Sequence, residues 1–228
     1  MKKTTFQFLF MSALAALVLS ACNKKDEGNT AYPDVYIQSK TVGTTTAYSV
    51  YQWVYSYNTM TSVESTDPYG YKELLDNYED KGLSFSGETA YSTVKPIGGT
   101  YTFAVTFKNG EVVNYTNSIT GTVIEPATNI VIEKKTDNGT YVKATWSKVT
   151  GATAYQIVAR KGSTEVVRTP LFTFNDASTT PTFGMDISLF TNQMPGTFTF
   201  EIVALKIETG DDSKYDAVSV ATVDYALN

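Results

Sequence analysis

Histidine is absent from the 228 residues, and cysteine occurs once, as Cys22. Without histidine there is no Ser-His-Asp or Cys-His catalytic set, none of the commonest zinc ligand, and no side chain that ordinarily titrates near neutral pH. A single cysteine allows no internal disulfide and no thiolate cluster for a metal. Basic clusters are missing too: 18 Lys and Arg stand against 23 Asp and Glu, a net charge of −5. Nucleic-acid binding depends on neutralised phosphates, so no nucleic-acid partner is expected. The longest apolar run, Phe6 to Leu19, is about 14 residues, short of the roughly 20 that a membrane-crossing helix needs. Asp, Glu, Lys, Tyr, Ser and Thr are left to carry any chemistry, and no cofactor is implied.

What is abundant points to strands. Tyr occurs 16 times and Phe 12 times, and the runs that contain them alternate with Gly, Pro, Asn and Asp, the punctuation of strands joined by turns.

Lys2 and Lys3 precede the apolar run, which ends in small residues before Cys22, the layout of a secretory signal peptide over residues 1–21. Leu19, Ser20, Ala21 and Cys22 resemble the bacterial lipobox. The resemblance implies that Cys22 is lipidated and becomes the mature N-terminus; the alternative is an ordinary signal peptide cut near Ala21. Lys25, Asp26 and Glu27, just behind the cysteine, resemble the export signal of Bacteroidota surface lipoproteins. That likeness implies an outer-membrane protein, anchored by lipid and facing the cell exterior, although such charges also suit a solvated tether. Residues 22–32 read as that polar tether. Cleavage removes two lysines and no acid, so the mature chain is more acidic still.

From Pro33 the chain reads as two halves. In the first, residues 33–125, Pro33 to Lys40 alternates as a strand. Ala47 to Asn58 does so more strongly, with Tyr51, Trp53, Tyr55 and Tyr57 on one face and Tyr48, Val50, Gln52 and Val54 on the other. The aromatic face has the larger apolar area, so burial favours it as core. Turned outward, the same row would be a platform on which sugar rings stack. Thr59 to Thr66 reads as loop. An insertion over residues 66–82 contains Tyr71 to Asp80, where Leu74, Leu75 and Tyr78 share one helical face; a short helix is expected there. Its acids lack the oxygen spacing of a calcium loop, so no metal site is expected. Leu83 to Phe85 and Thr89 to Lys95 read as short strands. Pro96 to Ser118 is a hairpin, with Tyr101, Phe103, Val105 and Phe107 on one face and Asn109-Gly110 at the turn.

Glu125 and Pro126 mark the junction to the second half, residues 126–228. About seven short strands follow, among them Leu171 to Phe174, at the density of a β-sandwich. Trp146 to Ala159, WSKVTGATAYQIVA, resembles the B and C strands of a fibronectin type III domain, and Gly196 to Ala204, GTFTFEIVA, resembles its F strand. That resemblance implies Trp146 and Tyr155 as core aromatics. Phe198 stands where the family usually has a tyrosine bonded to nearby backbone. Gly99 to Phe107, GTYTFAVTF, echoes the F-strand segment. The expected fold is therefore all-β, with two tandem immunoglobulin-like sandwiches and a short helical insertion in the first.

The fibronectin resemblance brings binding or spacing and no catalytic residues. A non-enzymatic surface protein acting as an interaction or spacer module is expected, its partners a membrane through Cys22 and a glycan or surface protein. A glycan-binding role would use Tyr51, Trp53, Tyr55 and Tyr57. An adhesin or pilus-type subunit would instead add a strand to a neighbour's open edge. A glycosidase would need paired carboxylates, with Asp67, Glu73, Asp76 and Glu79 as candidates, but nothing in the sequence holds two of them across a cleft.

Overall fold

The computed structural model describes residues 28–137, 139–174 and 179–228. Cys22, Lys25, Asp26 and Glu27 lie outside the described residues. The fold is all-β. The strands of the first half are β1 Ala31–Val42, β2 Thr45–Ser56, β3 Met60–Thr66, β4 Lys72–Leu74, β5 Asp76–Asn77, β6 Ser84–Glu88, β7 Gly99–Phe107 and β8 Val112–Ile119. Those of the second are β9 Val131–Lys135, β10 Tyr141–Thr145, β11 Ala154–Lys161, β12 Thr164–Arg168, β13 Thr182–Asp186, β14 Gly196–Glu208 and β15 Asp211–Leu227.

In the first half β1-β2-β6-β5 faces β4-β3-β7-β8, and in the second β12-β11-β14-β15 faces β13-β10-β9. These are the neighbour orders A-B-E-D with C′-C-F-G, and C′-C-F-G with A-B-E, of immunoglobulin-like sandwiches. The echoing segments Gly99–Phe107 and Gly196–Ala204 therefore occupy the same place, strand F, in each half. Each half has its own core. Val35, Ile37, Val54, Phe85, Phe103 and Phe107 fill the first, and Trp146, Tyr155, Ile157, Phe190, Phe198 and Phe200 the second. Trp146 packs on Tyr155 with centroids 5.4 Å apart. The tyrosine bond missing at Phe198 has a counterpart elsewhere, because the Tyr155 hydroxyl accepts the Val149 N–H at 2.9 Å.

The halves are also joined sideways. β1 runs parallel to β15, pairing Ile37, Gln38, Ser39 and Lys40 with Ala217, Val218, Ser219 and Val220. One eight-stranded sheet, β12-β11-β14-β15-β1-β2-β6-β5, thus passes through both sandwiches. Under the seam, Ser39 Oγ donates to the Ile124 carbonyl at 2.6 Å.

Several expectations fail. Residues 71–80 form no helix: β4 pairs with β3, β5 with β6, and only a single 3₁₀ turn follows at Tyr78–Asp80. Leu74 is exposed while Leu75 is buried, which is the alternation of a strand, and Glu79 and Asp80 have positive φ, which ends any helix. The segment crosses from one sheet to the other and closes their open side with Leu75. Thr59 to Thr66 is largely strand β3, whereas Thr89–Lys95 and Leu171–Phe174 contribute only the isolated bridges Tyr48↔Ser92 and Tyr155↔Phe172.

Candidate functional site

The largest correction concerns β2. Val50, Gln52, Val54 and Ser56 are its buried face, and Tyr51, Trp53, Tyr55 and Tyr57 point away from the core. The cause is volume. Phe85, Phe103, Phe107 and Met60 already occupy the space between the first half's sheets, and a close-packed interior leaves room opposite them only for small residues. Comparing apolar area on β2 alone misses what the facing strands supply. Gln52 is held inside by bonds to Ser65 Oγ and to Glu73, the latter at 3.2 Å.

The outward row is built of ring contacts in two groups. Trp53 stacks against Tyr55 at 6.0 Å, and Tyr55 meets Tyr57 edge to face at 5.1 Å. Tyr57 is 77% exposed and Tyr32 of β1 leans on it at 6.3 Å. The Trp53 indole N–H is satisfied by Ser84 Oγ at 2.6 Å, which fixes the ring without covering the row. At the other end, Tyr51 stacks on Tyr36 at 5.3 Å.

Tyr51 also lines an open groove of about 650 Å³ that follows the outer face of the shared sheet from β6 to β12. Its floor is an apolar cluster outside both sandwich cores, formed by Leu205, Val218, Val203, Val220, Tyr36 and Tyr215. Both walls are polar. On one, Glu88 accepts from Gln38 at 3.1 Å and Ser49 at 2.8 Å, and Lys40 lies 3.4 Å from the centre of the Tyr91 ring. Burial and the bond to Glu88 push the Tyr91 hydroxyl up to about 12. On the other wall, Arg160 bridges Glu201 at 2.9 Å and Glu165 at 3.2 Å, while Arg168 bonds Glu165 at 2.6 Å and Gln156 at 2.9 Å. The carboxylates of Glu88, Glu201 and Glu165 are matched by Lys40, Arg160 and Arg168, so the charges on the walls balance locally.

Beside Trp53 a smaller cavity of about 200 Å³ is lined by Ala31, Tyr32, Pro33, Asp34, Asp211 and Lys214. Asp34 is only 2% exposed. Its carboxylate accepts the N–H of Val35 at 2.9 Å and of Tyr215 at 3.1 Å. Burial, which outweighs the Tyr215 bond and is reinforced by Glu208, raises its pKa to about 6. Sequence reasoning missed Asp34, Tyr36 and Tyr215. Asp34 stands in an alternating strand like any solvent-facing acid, and its burial comes with Trp53 across from it on β2 and Tyr215 across the long-range seam.

Three of the four acids considered for catalysis have separate structural partners. Asp67 caps the N–H groups of Tyr69 and Tyr71 at 2.8 Å each, Glu73 holds Gln52, Glu79 pairs with Lys81 at 2.6 Å, and Asp76 lies exposed in β5. No cluster of three or more metal-ligating side chains occurs among the described residues.

No protein-family model and no curated protein matches the chain. Solved structures resemble it at low identity. A chain of a cytokine receptor complex is 14% identical, with 85% of this chain and 96% of that one covered and a TM-score of 0.31. The tetra-tandem repeat in the extending region of a large adhesion protein is 17% identical, with a TM-score of 0.33; the match covers 87% of this chain and spans half the length of that one.

Proposed function

We propose that the protein is a lipid-anchored surface protein of a bacterial outer membrane that binds an extended glycan along the outer face of its shared sheet, without catalysing a reaction on it. The observation that carries this reading is the outward direction of Tyr51, Trp53, Tyr55 and Tyr57. Sugar rings present apolar C–H faces to aromatic rings and hydroxyls to polar walls, and the groove supplies both beside Tyr51. Cys22 is the anchor, and Lys25, Asp26 and Glu27 direct the protein to the exterior. A strand-exchanging pilus subunit is the weaker reading. It needs a sandwich short of its last strand, and here β8 and β15 fill that place from the chain itself.

The test is binding of the full chain to a polysaccharide panel, followed by Trp53→Ala on any ligand found. Loss of about tenfold or more in affinity, roughly 1.4 kcal/mol, is expected. Unchanged binding would sink the stacking platform.

A further inference from the structure

We propose that the cavity beside Trp53 binds the protonated amine of an unacetylated amino sugar, with Asp34 as the counter-charge. The inference rests on the glycan reading and adds to it the kind of sugar and the subsite that selects it.

Three observations converge. The cavity is about 200 Å³ and opens beside the aromatic row, so a sugar stacked there can project a substituent into it. Its walls include Trp53 and Tyr32, and aromatic rings favour a cation over their faces. Asp34 is a buried carboxylate with no ion pair of its own among the described residues. Its two oxygens each accept one backbone N–H, leaving acceptor capacity on both. A buried acid at a cavity, its pKa raised by burial, is a candidate binding group.

The other charged groups facing Asp34 do not supply that cation. Glu208 raises its pKa further, and Lys214 lowers it only weakly. Lys214 also lines the cavity, and its ammonium lies 3.7 Å from Asp211. An amine entering the cavity would therefore drive Asp34 to ionise and release its proton.

The experiment titrates the full chain at pH 6 with a glucosamine tetramer and, separately, with its fully N-acetylated counterpart, which is neutral. The unacetylated ligand should bind at least about tenfold tighter and release a proton, seen as a heat that changes with the ionisation enthalpy of the buffer. Asp34→Asn should abolish both the preference and the proton release while leaving the acetylated ligand's affinity in place. Lys214→Gln, which leaves the two backbone hydrogen bonds of Asp34 in place and removes a cation from the cavity wall, should strengthen binding of the unacetylated ligand. Equal affinities in the native protein, or a preference that survives Asp34→Asn, would overturn the amine subsite and leave the glycan reading standing. If neither tetramer binds, the glucosamine monosaccharide is titrated against the fluorescence of Trp53 in a Trp146→Phe background, Trp146 being the second tryptophan of the chain. A saturable change lost in Asp34→Asn keeps the cavity and removes the glycan platform; no change overturns both.

Discussion

Tyr36 of β1 and Tyr215 of β15 meet edge to face with ring centroids 5.6 Å apart, and this contact ties one sandwich to the other beside the parallel ladder. The bond from the Tyr215 N–H to Asp34, 181 residues away in sequence, extends the same seam. Aromatic pairs of this geometry contribute about 0.5–1.5 kcal/mol beyond their buried area. A double-mutant cycle of Tyr36→Ala and Tyr215→Ala in urea unfolding should therefore give a coupling energy in that range. The cycle also removes the confounding stack of Tyr36 on Tyr51, which both Tyr36 variants lack. Strict additivity would mean that the seam gains nothing from the pair.

Asp34 makes stability depend on pH in an unusual direction for a carboxylate. Its folded pKa of about 6 lies above the ordinary 3.8, so the folded state holds the proton more tightly than the unfolded chain. Its contribution is complete below the unfolded value and is lost as pH rises through the folded one, between about 4 and 6. A shift of about two units corresponds to roughly 3 kcal/mol. Glu165 and Asp186, whose pKa values are lowered, act in the opposite sense. The clean quantity is thus the difference between the native protein and Asp34→Asn. Urea midpoints at pH 4, 5, 6 and 7 should show the native protein losing stability relative to the variant up to pH 6 and tracking it in parallel above. A flat difference would place Asp34 in water.

Gly82 sits where the chain returns from the sheet-crossing segment to β6, with φ of +68°, and a Cβ there would lie 2.6 Å from the Met60 carbonyl oxygen. The neighbouring backbone cannot yield easily, because the Met60 N–H also donates to the Gly82 carbonyl at 2.7 Å. Gly43, in the β1–β2 turn, has nearly the same φ of +63° but nothing within 4 Å. Gly43→Ala then measures the left-handed conformation alone, about 1–2 kcal/mol. Gly82→Ala should cost more, by about 1 kcal/mol or beyond. Equal losses in thermal or urea unfolding would show that the Met60 contact relaxes freely.

The parts of this fold that local chemistry determines are readable in the chain. The alternation of Tyr101, Phe103, Val105 and Phe107 identifies β7 and its buried face, and the echo with Gly196–Ala204 identifies the matching strand of the second half. β3 escapes because MTSVEST offers only Met60 and Val63 as apolar positions, with a bulge between Met60 and Ser62 that breaks their register. The insertion misleads because Leu74, Leu75 and Tyr78 fit a helical face on paper, while Leu75 alone turns inward. The site depends on two long-range facts. The facing strands, and not β2, decide which side of β2 is core, and the β1–β15 pairing brings Asp34, Tyr36 and Tyr215 together from opposite ends of the chain. No local pattern encodes either.

The direction of β2 can be tested with two adjacent residues. Val54 is 0% exposed in the first core, whereas Tyr55 lies on the outer row between Trp53 and Tyr57. An aspartate at position 54 would bury a charge with no partner in an apolar setting, a loss of about 4 kcal/mol or more that leaves little of the first half folded. Removing the ring at position 55 gives up one stacked and one edge contact at the surface and should cost about 1–2 kcal/mol. Val54→Asp should therefore remove the first half's share of the cooperative urea transition and of the near-ultraviolet circular dichroism, the second core being separate, while Tyr55→Ser keeps both with a modestly lower midpoint. The opposite ranking would put the aromatic row in the core and remove the surface on which a glycan stacks. With the ranking as stated, Tyr55→Ser becomes the folded variant in which glycan affinity falls for loss of a ring and not for loss of structure.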